Sequence, residues 1–220
     1  MKKPKIFIAC DTTNINKFKK IINQSQSTKI IIGYKFGLEF MNSKNGRQFI
    51  SKLKKKIIFI DLKLNDTVNT MKSAVKALRD LKIDYLTVHI SSGLEALRSV
   101  KKVSGSIKII GVTTLTSLNN KDLKLIGYSR SVKNLVLHQA KLAKKAALDA
   151  LVCSPYEVNY VRKIFKKEII TPGVQIGKRN YDQKRSMEAN KVKSDWLVIG
   201  RAITRGNIKK NIQNLYKKLN

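Results

Sequence analysis

Ile57-Ile-Phe-Ile-Asp61-Leu-Lys63-Leu-Asn-Asp66 joins four apolar residues to two carboxylates and an amine within six positions. The apolar run reads as a buried strand. Side chains alternate along a strand, so Asp61 and Lys63 are expected on the same side. Asp66 falls just beyond, in a loop or the first turn of a helix. Opposite charges packed at the exit of a buried strand are costly to desolvate and are not needed for folding. Perturbed charges gather at functional sites, so this cluster reads as a reaction centre.

Working outward, short apolar runs alternate with longer amphipathic stretches. Strands are expected over 5–10, 29–34, 57–62, 85–89, 107–112, 150–153, 169–171 and 196–199. Helical patterns lie between them. One covers 68–81, with Met71, Ala74, Val75 and Leu78 on one face; others cover 132–147 and 203–219. Repeated strand-then-helix units predict a parallel sheet. In 220 residues the tightest solution is a closed α/β (β/α)8 TIM barrel, with a doubly wound open sheet as the alternative. With no linker, low-complexity tract or short repeat, residues 1–220 read as a single domain.

The barrel reading carries a test within the sequence, because active sites of this fold lie at the carboxyl ends of the strands. Polar residues recur there: Asp11, Lys35, Asp61 with Lys63, His89, Thr113 to Ser117, Ser154, Thr171-Pro-Gly173 and Gly200-Arg201. The strand bodies carry almost no charge. Gly200 lets a ligand approach the backbone, and the amides that follow open a helix. Arg201 can add a fork of donors. With the Pro172-Gly173 loop, this places an anion site after the seventh and eighth strands, the usual phosphate position.

Composition narrows the class further. The start Met-Lys-Lys-Pro-Lys, followed by only a short apolar run, predicts no secretory leader, and no stretch approaches the length of a membrane span. Cys10 and Cys153 read as reduced core residues, which fits the cytoplasm. Net charge is +32, with lysine spread along the whole chain rather than gathered in a stripe. A basic nucleic-acid-binding protein is therefore the weaker alternative, although a basic surface attracts small phosphorylated anions. His89 reads as a hydrogen-bonded support of the barrel mouth, and His138 as packing or surface. The histidines and cysteines lack zinc spacing. Asp61 and Asp66 could hold magnesium, but Lys63 between them already supplies positive charge. No Walker loop or dinucleotide glycine fingerprint is present, and no nucleotide cofactor is expected.

Asp61-Leu-Lys63-Leu-Asn-Asp66, with Asn69-Thr70 after it, closely resembles the Asp-x-Lys-x-x-Asp motif of the orotidine 5'-phosphate decarboxylase family. Asp11, Lys35, Val88-His89 with Gly93, Leu115-Thr116-Ser117, Val152-Cys153-Ser154, Thr171-Pro172-Gly173, Asp182-Gln183-x-Arg185 and Ile199-Gly200-Arg201 follow in family order. The resemblance implies a homodimeric barrel that converts orotidylate to UMP and carbon dioxide in pyrimidine biosynthesis, with no cofactor and no metal. It implies that Lys63 protonates C6, that Asp61 presses on the substrate carboxylate and that Lys35 orients the charges. Asp66 and Thr70 would complete the neighbouring subunit's site. Asp11 would hold ribose hydroxyls, Thr116 and Ser117 would lie by the pyrimidine, and Gln183, Gly200 and Arg201 would grip the phosphate. Two departures stand out. Thr67-Val68 replaces the usual Ile-Pro. Gln175 stands where the family has an arginine; it is counted as substrate-binding, and the arginine's own role is lost or taken by Lys178 or Arg179. The rival reading is a magnesium-dependent sugar-phosphate enzyme resembling 3-keto-gulonate-6-phosphate decarboxylase, a group that usually places a glutamate where this chain has Lys35.

Overall fold

The computed structural model describes residues 4–27, 29–175 and 187–219. Its strands are β1 (Lys5–Ala9), β2 (Ile31–Gly37), β3 (Ile57–Leu64), β4 (Tyr85–His89), β5 (Lys108–Val112), β6 (Ala150–Val152), β7 (Glu168–Thr171), β8 (Val174–Gln175), β9 (Met187–Glu188) and β10 (Trp196–Ile199). Eight of them close a barrel in the order β1-β10-β7-β6-β5-β4-β3-β2. Every pairing is parallel, and helices alternate with the strands. The expected (β/α)8 barrel is what forms. The short pair β8–β9 is a separate two-stranded sheet that the apolar pattern did not signal.

Strand alternation explains the interior. Phe7, Phe59, Tyr85, Ile110, Ala150, Ile170 and Trp196 point inward and form their own core cluster. Phe7 stacks on Trp196 at 4.1 Å between ring centroids and meets Phe59 edge-on at 4.9 Å. Gly33 of β2 makes room for this plug, since a Cβ there would lie 2.6 Å from the Phe7 ring. Two residues toward the carboxyl ends, the same inward rows carry Ala9, Lys35, Asp61 and Val112, which line a cavity. Two residues the other way, the barrel is closed by a polar layer. There Glu168 accepts from the Tyr85 hydroxyl at 2.9 Å, Lys108 at 3.2 Å and the Trp196 indole at 3.3 Å. The outward rows pack with the helices into the larger core, with Ile6, Ile8, Phe36, Ile58, Leu86 and Leu197 among them.

Three aspartates tie the floor together. Asp84, Asp149 and Asp195 each stand one residue before a strand. Each carboxylate accepts the first free amide of the adjoining strand: Ile58 at 2.7 Å, Ile109 at 2.8 Å and Ile169 at 2.8 Å. Amides at strand starts are otherwise unpaired, so each aspartate satisfies a buried donor.

Boundaries differ from the sequence reading where tertiary contacts decide them. β2 and β3 run further than the apolar pattern suggested, because Lys35 pairs with Phe59 and Gly37 with Asp61. Lys35 and Lys63 are therefore strand residues. The helix expected over 68–81 is Val68–Ala77 followed by a tighter turn, Arg79–Leu81. That expected over 132–147 is Val132–Lys145. The one expected over 203–219 is broken into Arg201–Thr204 and Ile208–Leu219. Gly206, at φ +69°, turns the chain between them. Asn211 then donates to the carbonyls of Ile203 and Arg205 at 3.0 and 2.7 Å.

Candidate active site

The mouth of the barrel holds a cavity of about 330 Å³. Ala9, Phe59, Val112, Val152 and Val198 supply apolar walls; Asp11, Lys35, Asp61, Lys63 and Thr116 supply polar groups; Pro172, Gly173, Gln175, Gly200 and Arg201 border it. Among the described residues this gathers most of those singled out from the sequence. Thr116 lines the cavity, whereas Ser117 is exposed beside it and outside the lining. Gln183, Lys178 and Arg179 lie outside the described residues. Asp66 and Thr70 are exposed and do not line this chain's cavity. There Asp66 Oδ1 accepts the Thr67 amide at 2.6 Å, and the hydroxyls of Thr67 and Thr70 are 3.0 Å apart.

The centre is an alternating charge chain. Lys35 Nζ is 3.4 Å from Asp11 Oδ1 and 3.4 Å from Asp61 Oδ2. Lys63 Nζ is 3.0 Å from Asp61 Oδ1. Asp61 and Lys35 are nearly enclosed, their side chains retaining 13% and 12% of their exposure. Burial alone pushes the Asp61 carboxyl up, but Lys35 and Lys63 beside it hold it below the usual carboxylate range. Burial pushes Lys35 down, and the Asp61 and Asp11 carboxylates more than reverse this, raising it. Both groups are thus held charged in a confined place. The group is formally neutral, two plus and two minus, with the Asp61 carboxylate between two ammonium groups.

The backbone at Lys63 is unusual. Its φ is +50°, the left-handed region that a lysine rarely occupies, at a cost of about 1–3 kcal/mol. Pairing of β3 with β4 is interrupted at the same place. Ile60 pairs with Leu86, and Leu64 next pairs with Val88, so β3 advances four residues while β4 advances two. This bulge brings the Lys63 amide to Thr87 Oγ1 at 2.8 Å, and the same hydroxyl donates to Asp61 Oδ1 at 3.0 Å. The sequence reading passed over Thr87. Its only signal was a hydroxyl between Tyr85 and His89 in the inward row of β4, where the side chain is fully buried.

Neighbouring segments are anchored from behind. Thr113 donates to the Val152 carbonyl at 2.7 Å, and Thr114 to Gln139 Oε1 at 3.1 Å, fixing the strand end before Thr116. Asn119 and Asp122 form a reciprocal cap on the helix that follows. His89 Nδ1 is 3.0 Å from Ser91 Oγ, and His89 is not among the cavity's lining residues. His138 is on the surface, and Cys10 and Cys153 are buried free thiols. Gly173, at φ +76°, turns the loop after β7, and its carbonyl accepts the Met187 amide at 3.1 Å. Among the described residues, no group of three or more histidines, cysteines, aspartates or glutamates is arranged to hold a metal ion, and no helix is long and apolar enough to cross a membrane.

A closed parallel barrel with enclosed, opposed charges at the carboxyl ends of its strands is a (β/α)8 enzyme with its active site at the mouth. Residues 4–212 match the family model described as Orotidine 5'-phosphate decarboxylase / HUMPS family, and the chain belongs to that family. It is 39% identical over 224 residues to an orotidine 5'-phosphate decarboxylase of Wolbachia sp. subsp. Brugia malayi, covering 97% of each chain. It is 39% identical over 213 residues to the enzyme of that name from Buchnera aphidicola subsp. Acyrthosiphon pisum, covering 91% of this chain and 89% of the relative. The crystal structure of orotidine 5'-phosphate decarboxylase from Lactobacillus acidophilus superposes with a TM-score of 0.84 at 28% identity, covering all of both chains.

Proposed function

We propose that this protein is a carboxy-lyase of pyrimidine biosynthesis that converts orotidine 5'-monophosphate to UMP and carbon dioxide. The observation that carries the reading is the Lys35–Asp61–Lys63 chain, spaced at 3.0–3.4 Å in the barrel mouth. In the proposed step the C6–carboxylate bond breaks and carbon dioxide leaves. The electron pair stays on C6, and that carbon takes a proton from Lys63 Nζ. The pyrimidine ring offers little delocalisation for that pair, so an ammonium already fixed beside it stabilises charge as it develops. Asp61, held ionised by two lysines, stands against the substrate carboxylate and favours its departure. Lys35 keeps Asp61 charged and placed.

The remote part of the substrate supplies the binding energy that holds this arrangement. Asp11 takes ribose hydroxyls; Thr116 faces the pyrimidine, with Ser117 beside it; Gln175, Gln183, Gly200 and Arg201 take the phosphate. The apolar floor of Phe59 and the valine walls suit the face of a planar ring. We read residues 1–220 as one catalytic domain acting as a homodimer. Support for the dimer is that Asp66 and Thr70 lie beside the mouth yet outside its own cavity, where a second copy could use them. Buried free thiols fit a reducing cytoplasmic setting.

The test is the ultraviolet absorbance change of orotidylate on adding purified protein, with and without a chelator and no added metal. The reading expects conversion to UMP, insensitive to the chelator. Absence of conversion contradicts it. Conversion that the chelator abolishes contradicts the metal-free reaction.

A further inference from the structure

Thr87 stands where β4 faces the bulge of β3, fully buried and outside the cavity lining. Its hydroxyl has one proton to give and lone pairs to receive with. The proton goes to Asp61 Oδ1 at 3.0 Å, and the amide of Lys63 is received at 2.8 Å. The Lys63 amide points at this side chain in a stretch where the β3–β4 register skips. Without the hydroxyl, that amide and one carboxylate lone pair would both be buried and unsatisfied.

From this juxtaposition we infer that Thr87 is a positioning residue for the decarboxylation, fixing the left-handed backbone of Lys63 and the rotamer of Asp61 in one contact. The inference rests on the proposed reaction. It adds that the chemical step, and not substrate capture, depends on a hydroxyl that never touches the substrate. Near-attack geometry is sensitive to small displacements of this kind.

Valine is nearly isosteric with threonine and keeps the packing of β4, while serine keeps the hydroxyl. Native protein is assayed first on orotidylate; no turnover there defeats the proposed reaction and leaves Thr87 aside. With native turnover established, Thr87→Val is expected to lower kcat roughly 10- to 100-fold, the loss of a hydrogen bond to a charged group. Its affinity for UMP should stay within about twofold, because the phosphate and ribose contacts are remote. Thr87→Ser should recover most of kcat. Native kcat in Thr87→Val overturns the inference, as does a matching loss of UMP affinity. So does a Thr87→Ser protein with native circular dichroism that is as slow as the valine variant. If valine blocks folding, the serine arm decides alone: retained turnover supports the inference, and a tenfold loss in a folded protein overturns it.

Discussion

The Lys63 ammonium lies 3.0 Å from Asp61 Oδ1, two residues earlier on the same strand, across a backbone position at φ +50°. Simple alternation puts both side chains on one side, but it does not by itself bring their charges into contact. The bulge does that, and it allows an amine and a carboxylate to share the barrel mouth while Leu62 between them packs against the core.

Lys35 and Asp61 give the protein a pH signature. The carboxyl, lowered on folding, contributes stability above the ordinary carboxylate range and loses it as pH falls through its depressed folded value. Lys35, raised on folding, contributes below the ordinary lysine value and loses it as pH rises through its elevated one. Both contributions coexist between about pH 4 and pH 10. Replacing Lys35 by methionine removes a cation from Asp61 and should move the acid arm of the melting temperature profile to higher pH. Calorimetry across pH checks this, and superimposable acid arms contradict it.

Asp195 accepts the Ile169 amide and pairs with Arg162, at the end of the barrel opposite the mouth. Asp195→Ala should lower unfolding free energy by about 1–3 kcal/mol, because a buried amide loses its acceptor. Turnover per folded molecule should not change. Urea unfolding beside a kcat measurement separates the two, and a loss of kcat at native stability speaks against a purely structural role.

The shared-site proposal predicts complementation. Asp66→Asn and Lys63→Ala proteins, each inactive alone, should regain partial activity on mixing, through hybrid dimers with one intact site. No recovery despite demonstrated subunit exchange means that Asp66 does not serve a neighbour.

A net charge of +32 should speed capture of an anionic substrate. kcat/KM for orotidylate is expected to fall about tenfold or more between low salt and ~0.3 M, with kcat nearly constant. A flat kcat/KM across that range means the surface charge does not steer substrate.

The barrel was readable in the sequence because parallel strands covered on both faces are nearly continuous apolar runs, and eight of them stood out. Their polar ends marked the mouth, and Asp11, Lys35, Asp61, Lys63, Thr116, Gly200 and Arg201 meet there. What escaped the reading depends on partners distant in sequence. Lys35 belongs to a strand because Phe59 pairs with it, the final helix breaks because Gly206 turns, and Thr87 matters because a bulge on another strand faces it. A hydroxyl within a buried strand has no local signature that separates positioning from packing. The aspartates before β4, β6 and β10 were equally hidden, since their acceptor role appears only when adjoining strands are aligned.

The central claim is that Lys63 delivers the proton to C6, and single substitution of that lysine is its most direct measurement. Lys63→Ala should bind UMP and stay folded, yet convert orotidylate at least about 10²–10⁴-fold more slowly at saturation. Turnover within a few-fold of native by a correctly folded Lys63→Ala protein would contradict the account.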